Sequence, residues 1–301
     1  MNDRADGSVG GGGEPDPEAP PGPRPLVPEV ASALSPLVRR IVCNNPGMMT
    51  GPGTNTYLVG VDEIVVVDPG PDDATHLDAI AGCGGDAIRW IVCTHTHPDH
   101  SPGAAGLKAR TGAEVLAFDA RDSLVIDRSL ADGDGIEATE FRLTAVHTPG
   151  HASNHLCFQL EEERLLFSGD HIMGESTVVI SPPDGDMVAY LTSLERLRAL
   201  RPPLRAIAPA HGHLIADPRA KIDEYLSHRR DREAQVMHAL RSAGSGGAGT
   251  EALVSAIYTD VPEMLHPVAR RSVWAHLRKL GAEGDATSAD PDDPDGTWVA
   301  A

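Results

Sequence analysis

The run Cys93-Thr94-His95-Thr96-His97-Pro98-Asp99-His100 sets four metal-capable side chains within six residues, directly after the apolar segment Trp90 to Cys93. On an extended backbone alternate residues share a face, so His95, His97 and Asp99 converge at a strand end while His100 opens the next turn. Three later runs share the form of an apolar strand ending in a turn with a potential ligand: Val146-His147-Thr148-Pro149-Gly150-His151, Leu166-Phe167-Ser168-Gly169-Asp170-His171 and Ala208-Pro209-Ala210-His211-Gly212-His213. Taken singly, His151, Asp170 or His211 reads as a turn residue. Following the first run in this order, they describe one site built on strand ends. Imidazoles in the majority with a few carboxylates form a nitrogen-rich set that suits zinc and also admits iron or manganese.

The elements that must place these residues are legible as apolar runs and helical periods. Strands are expected at Arg40 to Cys43, Thr56 to Val59, Ile64 to Val67, Trp90 to Cys93, Glu114 to Phe118, Phe141 to Val146, His155 to Leu160, Leu165 to Phe167 and Ala206 to Ala208. Helical windows cover Asp72 to Ala81, Pro102 to Arg110, Asp186 to Leu200, Pro218 to Ser242, Glu251 to Tyr258 and His266 to Leu280. Asp217 before Pro218 is a start signal for the long helix. Met1 to about Glu29, with Gly10 to Gly13 and seven prolines from Pro15 to Pro28, has the composition of a disordered tail. The expected organisation is therefore a tail at 1–30, a catalytic domain at 31–217, and a long helix with a small three-helix or winged-helix module at 218–301.

Composition narrows the function. The 301 residues are 41% hydrophobic and 23% charged, a globular balance, and no apolar run approaches the roughly 18 residues of a membrane-spanning helix. Four widely spaced cysteines, and an N-terminus with neither a signal nor a transit pattern, imply reduced thiols and a cytoplasmic location. The net charge of -19 divides into -4 over residues 1–30, -12 over 31–218, +3 over 219–280 and -6 over 281–301. An acidic main domain is a poor polyanion binder, because phosphate contacts need Lys and Arg.

The order HxHxDH, a His after Thr-Pro-Gly, Ser-Gly-Asp, and Pro-Ala-His-Gly resembles the metallo-β-lactamase-fold hydrolases from about Asn44 to His213. The resemblance implies an α/β protein with an αββα sandwich. It places His95, His97 and His151 on a first zinc, Asp99, His100 and His211 on a second, and Asp170 between the two, with Asp99, His100 and Asp170 as the catalytic group. Flavo-diiron relatives carry Glu in place of the second His, whereas this chain keeps His97. Within the superfamily it most resembles the lactamase-beta-like protein 2 family, through Asn45-Pro46-Gly47, Met49 to Tyr57, Tyr190 to Leu197, Lys221-Ile222 and Ser227-His228-Arg229. Animal members of that family are single-strand endoribonucleases and fungal cousins are thioesterases, and a C-terminal winged-helix-like domain follows the sandwich. Hydroxyacylglutathione hydrolases share the metal motifs but end in a different helical segment that is missing here.

The expected activity is hydrolysis of a small-molecule ester or thioester by a hydroxide bound to two zinc ions. The alternative is cleavage of single-stranded RNA, for which Arg270, Arg271, Arg278 and Lys279 offer a candidate face. Only 11 aromatic residues and the acidic main domain weigh against it. A DNA-binding regulator with a vestigial metal site is the third reading, disfavoured because a binding module has no use for seven converging ligands. Around the core set, His155 is expected to orient a ligand by a hydrogen bond, Asp68 to hold the metal-binding loop, and His171 to be a loop residue or an inward donor, while His147 and His213 read as structural. The segment Gly51 to Thr56 is no phosphate loop, because a strand rather than a helix follows.

Overall fold

The computed structural model describes residues 25–174, 177–259 and 261–301. The proposed tail therefore lies outside the described residues as far as Arg24. Its last residues are attached instead: the Glu29 amide donates to Val42 O, and its carboxylate accepts from the Asn44 amide and contacts His76 Nδ1.

Seven strands form the first sheet, in chain order β1 (Ser32–Ala33), β2 (Val38–Val42), β3 (Asn55–Val59), β4 (Ile64–Val67), β5 (Ile88–Val92), β6 (Glu114–Ala117) and β7 (Arg128–Ser129). The second contains β8 (Gly135–Glu137), β9 (Arg142–His147), β10 (Leu156–Leu160), β11 (Leu165–Gly169) and β12 (Ala206–Pro209), with β12 parallel to β11 at one edge. Alternation along the strands assigns each side chain to a layer. Tyr57, Val59, Val65, Val67, Phe158, Leu160, Leu165 and Phe167 fill the space between the sheets. Leu58, Ile64 and Val66 face outward onto α1 (Ala74–Gly84) and α2 (Gly103–Thr111), while Cys157 and Leu166 face α3 (Met187–Arg198) and α4 (Pro218–Ser242). The result is an αββα sandwich.

Capping fixes where the helices begin. Asp73, Asp186 and Asp217 accept hydrogen bonds from the amides of His76, Ala189 and Ala220, and Pro218 occupies the first turn of α4. The first half of α4 packs on the sandwich through Ile222, Tyr225 and Leu226. Its second half joins α5 (Thr250–Ile257), α6 (His266–Glu283) and the pair β13 (Ala286–Ser288) and β14 (Trp298–Ala300) around Val236, Leu240, Val273, Leu277 and Trp298. These helices and the two-stranded wing form the winged-helix module. One rigid helix thus belongs to both cores, so the module is held beside the sandwich.

Among the described residues no helix is long and apolar enough to cross a membrane, and the four cysteines are free.

Candidate metal centre

The site forms where β5, β9, β11 and β12 end. Asp68, at φ 51° just after β4, is 2% exposed and accepts from the Thr94 amide (2.7 Å), Thr94 Oγ1 (2.8 Å) and His100 Nδ1 (2.9 Å). The loop from Thr94 to His100 is thereby pinned from within. Asp170 follows Gly169, whose φ is 49°, and a Cβ there would come within 2.6 Å of His155 Nε2 and 2.8 Å of Thr94. Glycine is required at that position on both counts. His155 Nε2 accepts from the Asp170 amide (3.2 Å), so its Nδ1 proton goes to Thr148 Oγ1 (2.9 Å). That is the orienting role expected for His155. On the β12 side, Asn55 Nδ2 donates to Pro209 O and Gly212 O, bracketing His211.

All seven expected side chains meet here. Donor atoms of His95, His97, His151 and Asp170 lie within 4.8 Å of one another, and those of Asp99, His100 and His211 do likewise. Asp170 faces both groups: Oδ2 is 3.6 Å from His151 Nε2, while Oδ1 is 3.5 Å from His100 Nε2 and 3.3 Å from His211 Nε2. Asp99 Oδ2 lies 3.5 and 3.3 Å from the same two histidine nitrogens.

The hydrogen bonds on the far sides of the rings assign the tautomers. Thr94 Oγ1 gives its proton to Asp68 and so accepts from His95 Nδ1; His151 Nδ1 donates to Val179 O, His100 Nδ1 to Asp68, and His211 Nδ1 to Gly53 O. In the neutral rings each Nε2 is then a bare lone pair. Those of His95 and His151 lie 2.9 and 3.0 Å from His97 Nδ1, which in a neutral ring has at most one proton to give and can satisfy only one of them, and those of His100 and His211 face carboxylates without any hydrogen-bond partner. Acceptors converge at these distances only around positive charge. Buried nitrogen and oxygen donors of this kind fit divalent metal ions.

From the protein's own charges alone, protons would supply that positive charge unevenly. Burial opposes protonation of His100, but Asp170, Asp99 and Asp68 outweigh it and raise its pKa well above the ordinary histidine value. His211 is raised to about 9 against burial by its contacts with Asp170 and Asp99. Burial, with His151 next to it, lowers His97 to about 4, and burial with His100 and His155 holds His95 low. In the ion-free chain at neutral pH, His100 and His211 therefore carry protons that a cation must displace, and His95 and His97 carry none. Uptake at the Asp99–His100–His211 group should strengthen as pH rises toward about 9, while His97 imposes no proton competition above about 4 and His95, held low by burial, imposes none at neutral pH. Zinc calorimetry at pH 7 in buffers of differing ionisation enthalpy should resolve one event that releases protons; two proton-neutral events would contradict this arrangement.

Other candidates take their places around this core. Neither ring nitrogen of His171 has a partner among the described residues, and its ring lies against Tyr190 (centroids 4.7 Å apart). His147 stacks on Phe118 at 4.3 Å and contacts Ser153 O, a structural position. A third cluster, Glu29, Cys43 and His76, also brings its donor atoms within 4.8 Å. There both His76 nitrogens are engaged, by Glu29 Oε2 and Thr56 Oγ1, and burial together with Glu29 pushes the Cys43 thiol up to about 12. It acts as a clamp between the N-terminal segment and α1.

Sequence reasoning did not find the cavity of about 390 Å³ that opens beside His151 and Asp170. Met48 and Met49, residues of α4, and Tyr258, Val261, Leu265, Val268 and Ser272 of the winged-helix module are among those that line it. The signal available was the spacing of His228, Arg229 and Arg232 along one side of α4.

Residues 49–213 match the model of the metallo-beta-lactamase superfamily, and residues 250–298 that of the beta-lactamase associated winged helix domain. A beta-lactamase-like protein 2 homolog from Drosophila melanogaster is 32% identical over 280 residues, covering 86% of this chain and 92% of the relative. An atrochrysone carboxyl ACP thioesterase from Aspergillus chevalieri is 34% identical over 248 residues, covering 79% and 78%. The crystal structure of a metallo-beta-lactamase family protein from Thermus thermophilus superposes with a TM-score of 0.73 at 22% identity, covering 89% of this chain and all of that one.

Proposed function

The chain belongs to the metallo-beta-lactamase superfamily and carries the associated winged helix domain, and from that membership we propose that it is a dinuclear zinc hydrolase of esters or thioesters. His95, His97 and His151 would hold one ion, Asp99, His100 and His211 the other, and Asp170 both. Zinc there would supply Lewis acidity and bring the pKa of water down to about 7. The chain's own residues do the positioning. Asp68, Thr94, Val179 O and Gly53 O keep each Nδ1 proton turned outward, which leaves the inner nitrogens free to ligate. Asp99, with a side chain 24% exposed against 10% for Asp170, is the more accessible of the two carboxylates and would accept a hydrogen bond from the attacking water. Hydrolysis adds hydroxide to the acyl carbon and returns a proton to the departing sulfur or oxygen, giving a carboxylic acid and a thiol or alcohol.

The observation that carries the acyl reading is what has become of the basic face. Of its four residues, Arg270 pairs with Asp295, Arg278 with Asp292, and Lys279 with Glu233 and Glu283, leaving only Arg271 without a carboxylate among the described residues. A helix whose cations are already neutralised is a weak track for a phosphate backbone. The fungal thioesterase relative supports the same substrate class. The beta-lactamase-like protein 2 relative keeps RNA as the reading to test against. A panel of acyl thioesters and labelled single-stranded RNA, run with wild type and Asp99→Ala, should show thioester turnover that the variant loses. RNA cleavage lost in Asp99→Ala, with no thioester turnover by wild type, would replace the acyl assignment.

A further inference from the structure

The cavity beside His151 and Asp170 is apolar along most of its wall, through Met48, Met173, Val178, Val261, Leu265 and Val268, yet α4 contributes three basic side chains to it. His228 and Arg232 are one helical turn apart, and Arg229 lies beside them. Arg229 is 3% exposed; it donates to Val178 O and lies 5.2 Å from the centre of the Tyr190 ring. The guanidinium of Arg232 sits 3.9 Å from the centre of the Tyr258 ring. His228 Nδ1 and the Nε atoms of both arginines are buried without a hydrogen-bond partner. Neither arginine has a carboxylate within ion-pair distance among the described residues. Elsewhere in residues 218–301 the cations that lack such a pair, Arg241 and Arg271, are exposed to water.

Guanidinium charge that is withdrawn from water and uncompensated is unfavourable, and an anionic ligand group removes the penalty through charge-assisted hydrogen bonds. The arginines stand together at one place in an otherwise apolar chamber, in a chain of net charge -19. That arrangement fits a single anion on an apolar body rather than a chain of phosphates. We propose that the cavity accepts an acyl group carrying a second carboxylate at its far end, bound by Arg232 and His228 beside Arg229 while the scissile carbonyl lies at His151 and Asp170. This specificity rests on the acyl-hydrolase reading and adds a substrate class to it: half-thioesters or half-esters of dicarboxylic acids.

Calorimetric titration of the zinc-loaded full chain with octanoate and with octanedioate separates the two ends, because both acids present one carboxylate to the metals. Octanedioate should bind at least about tenfold more tightly, and Arg232→Gln should reduce it to the octanoate level while leaving octanoate unchanged. Arg232→Lys keeps the charge without the planar fork and should retain part of the preference. With the N-acetylcysteamine thioesters of the same two acids, the preference should appear in KM, with kcat little altered. Equal binding of the two acids, or a parallel loss of both in Arg232→Gln, overturns the carboxylate site. Turnover of the octanoyl thioester without preference overturns this inference and upholds the hydrolase; selective binding with no turnover of either thioester does the reverse.

Discussion

Asp170→Ala is expected to lower kcat/KM on any hydrolysed acyl substrate by about a thousandfold or more, roughly 4 kcal/mol of transition-state stabilisation, and to reduce bound zinc well below two equivalents. The reason is geometric. Among the described residues, Asp170 is the one carboxylate whose two oxygens face different histidine groups, Oδ2 toward His151 and Oδ1 toward His100 and His211. Losing it unlinks the two groups and leaves His100 and His211 only Asp99 as an anion at the centre, with Asp68 on the outer side of His100. Asp170→Glu should fail similarly, because the Asp170 amide is held by His155 and Gly169 fixes the preceding backbone, so the chain cannot retreat to fit an extra methylene. Metal analysis with single-substrate kinetics checks this, and circular dichroism verifies the fold. A variant with full metal content and turnover would remove Asp170 from the centre.

The site was legible in the sequence because strand ends keep local order. His95, His97, Asp99 and His100 need only one strand and one turn to converge, and the other three proposed ligands each follow a strand of their own. The sandwich was legible for a related reason: four consecutive apolar residues, Ile64 to Val67, are tolerated only where both faces of a sheet are covered, and their burial alternates between two cores. The strands Ser32–Ala33, Arg128–Ser129 and Gly135–Glu137 carry no apolar run at all, since they are two or three residues long and are held by pairing with longer neighbours. The cavity escaped for the opposite reason. Met48, Arg232 and Val268 are far apart in sequence and meet only because α4 is shared between the sandwich and the winged-helix module. The candidate nucleic-acid face on α6 shows the same limit, since the acids that neutralise it come from α4, from later in α6 itself and from the segment before β14.

Asp68→Asn should test whether the groups behind the ligands matter as much as the ligands. The native carboxylate is acceptor-only and takes three donors: the Thr94 amide on Oδ1, and Thr94 Oγ1 with His100 Nδ1 on Oδ2. An asparagine of the same shape offers one acceptor oxygen, so its NH2 must face either the Thr94 amide or the His100 ring. If it faces the amide, two buried donors oppose each other. If it faces His100, the ring is driven to the tautomer with its proton on Nε2, the atom directed at Asp99 and Asp170. Either outcome weakens the Asp99–His100–His211 group, while in the other group the outer partner of His151 is untouched and that of His95, Thr94, is affected only through its own bonds to residue 68. Zinc affinity should therefore fall about 10- to 100-fold at one of two sites, with a matching loss of activity at limiting metal that excess zinc partly restores. Equal weakening of both sites would show that Asp68 acts through the fold as a whole; unchanged affinity at both would mean that His100 takes its orientation from elsewhere.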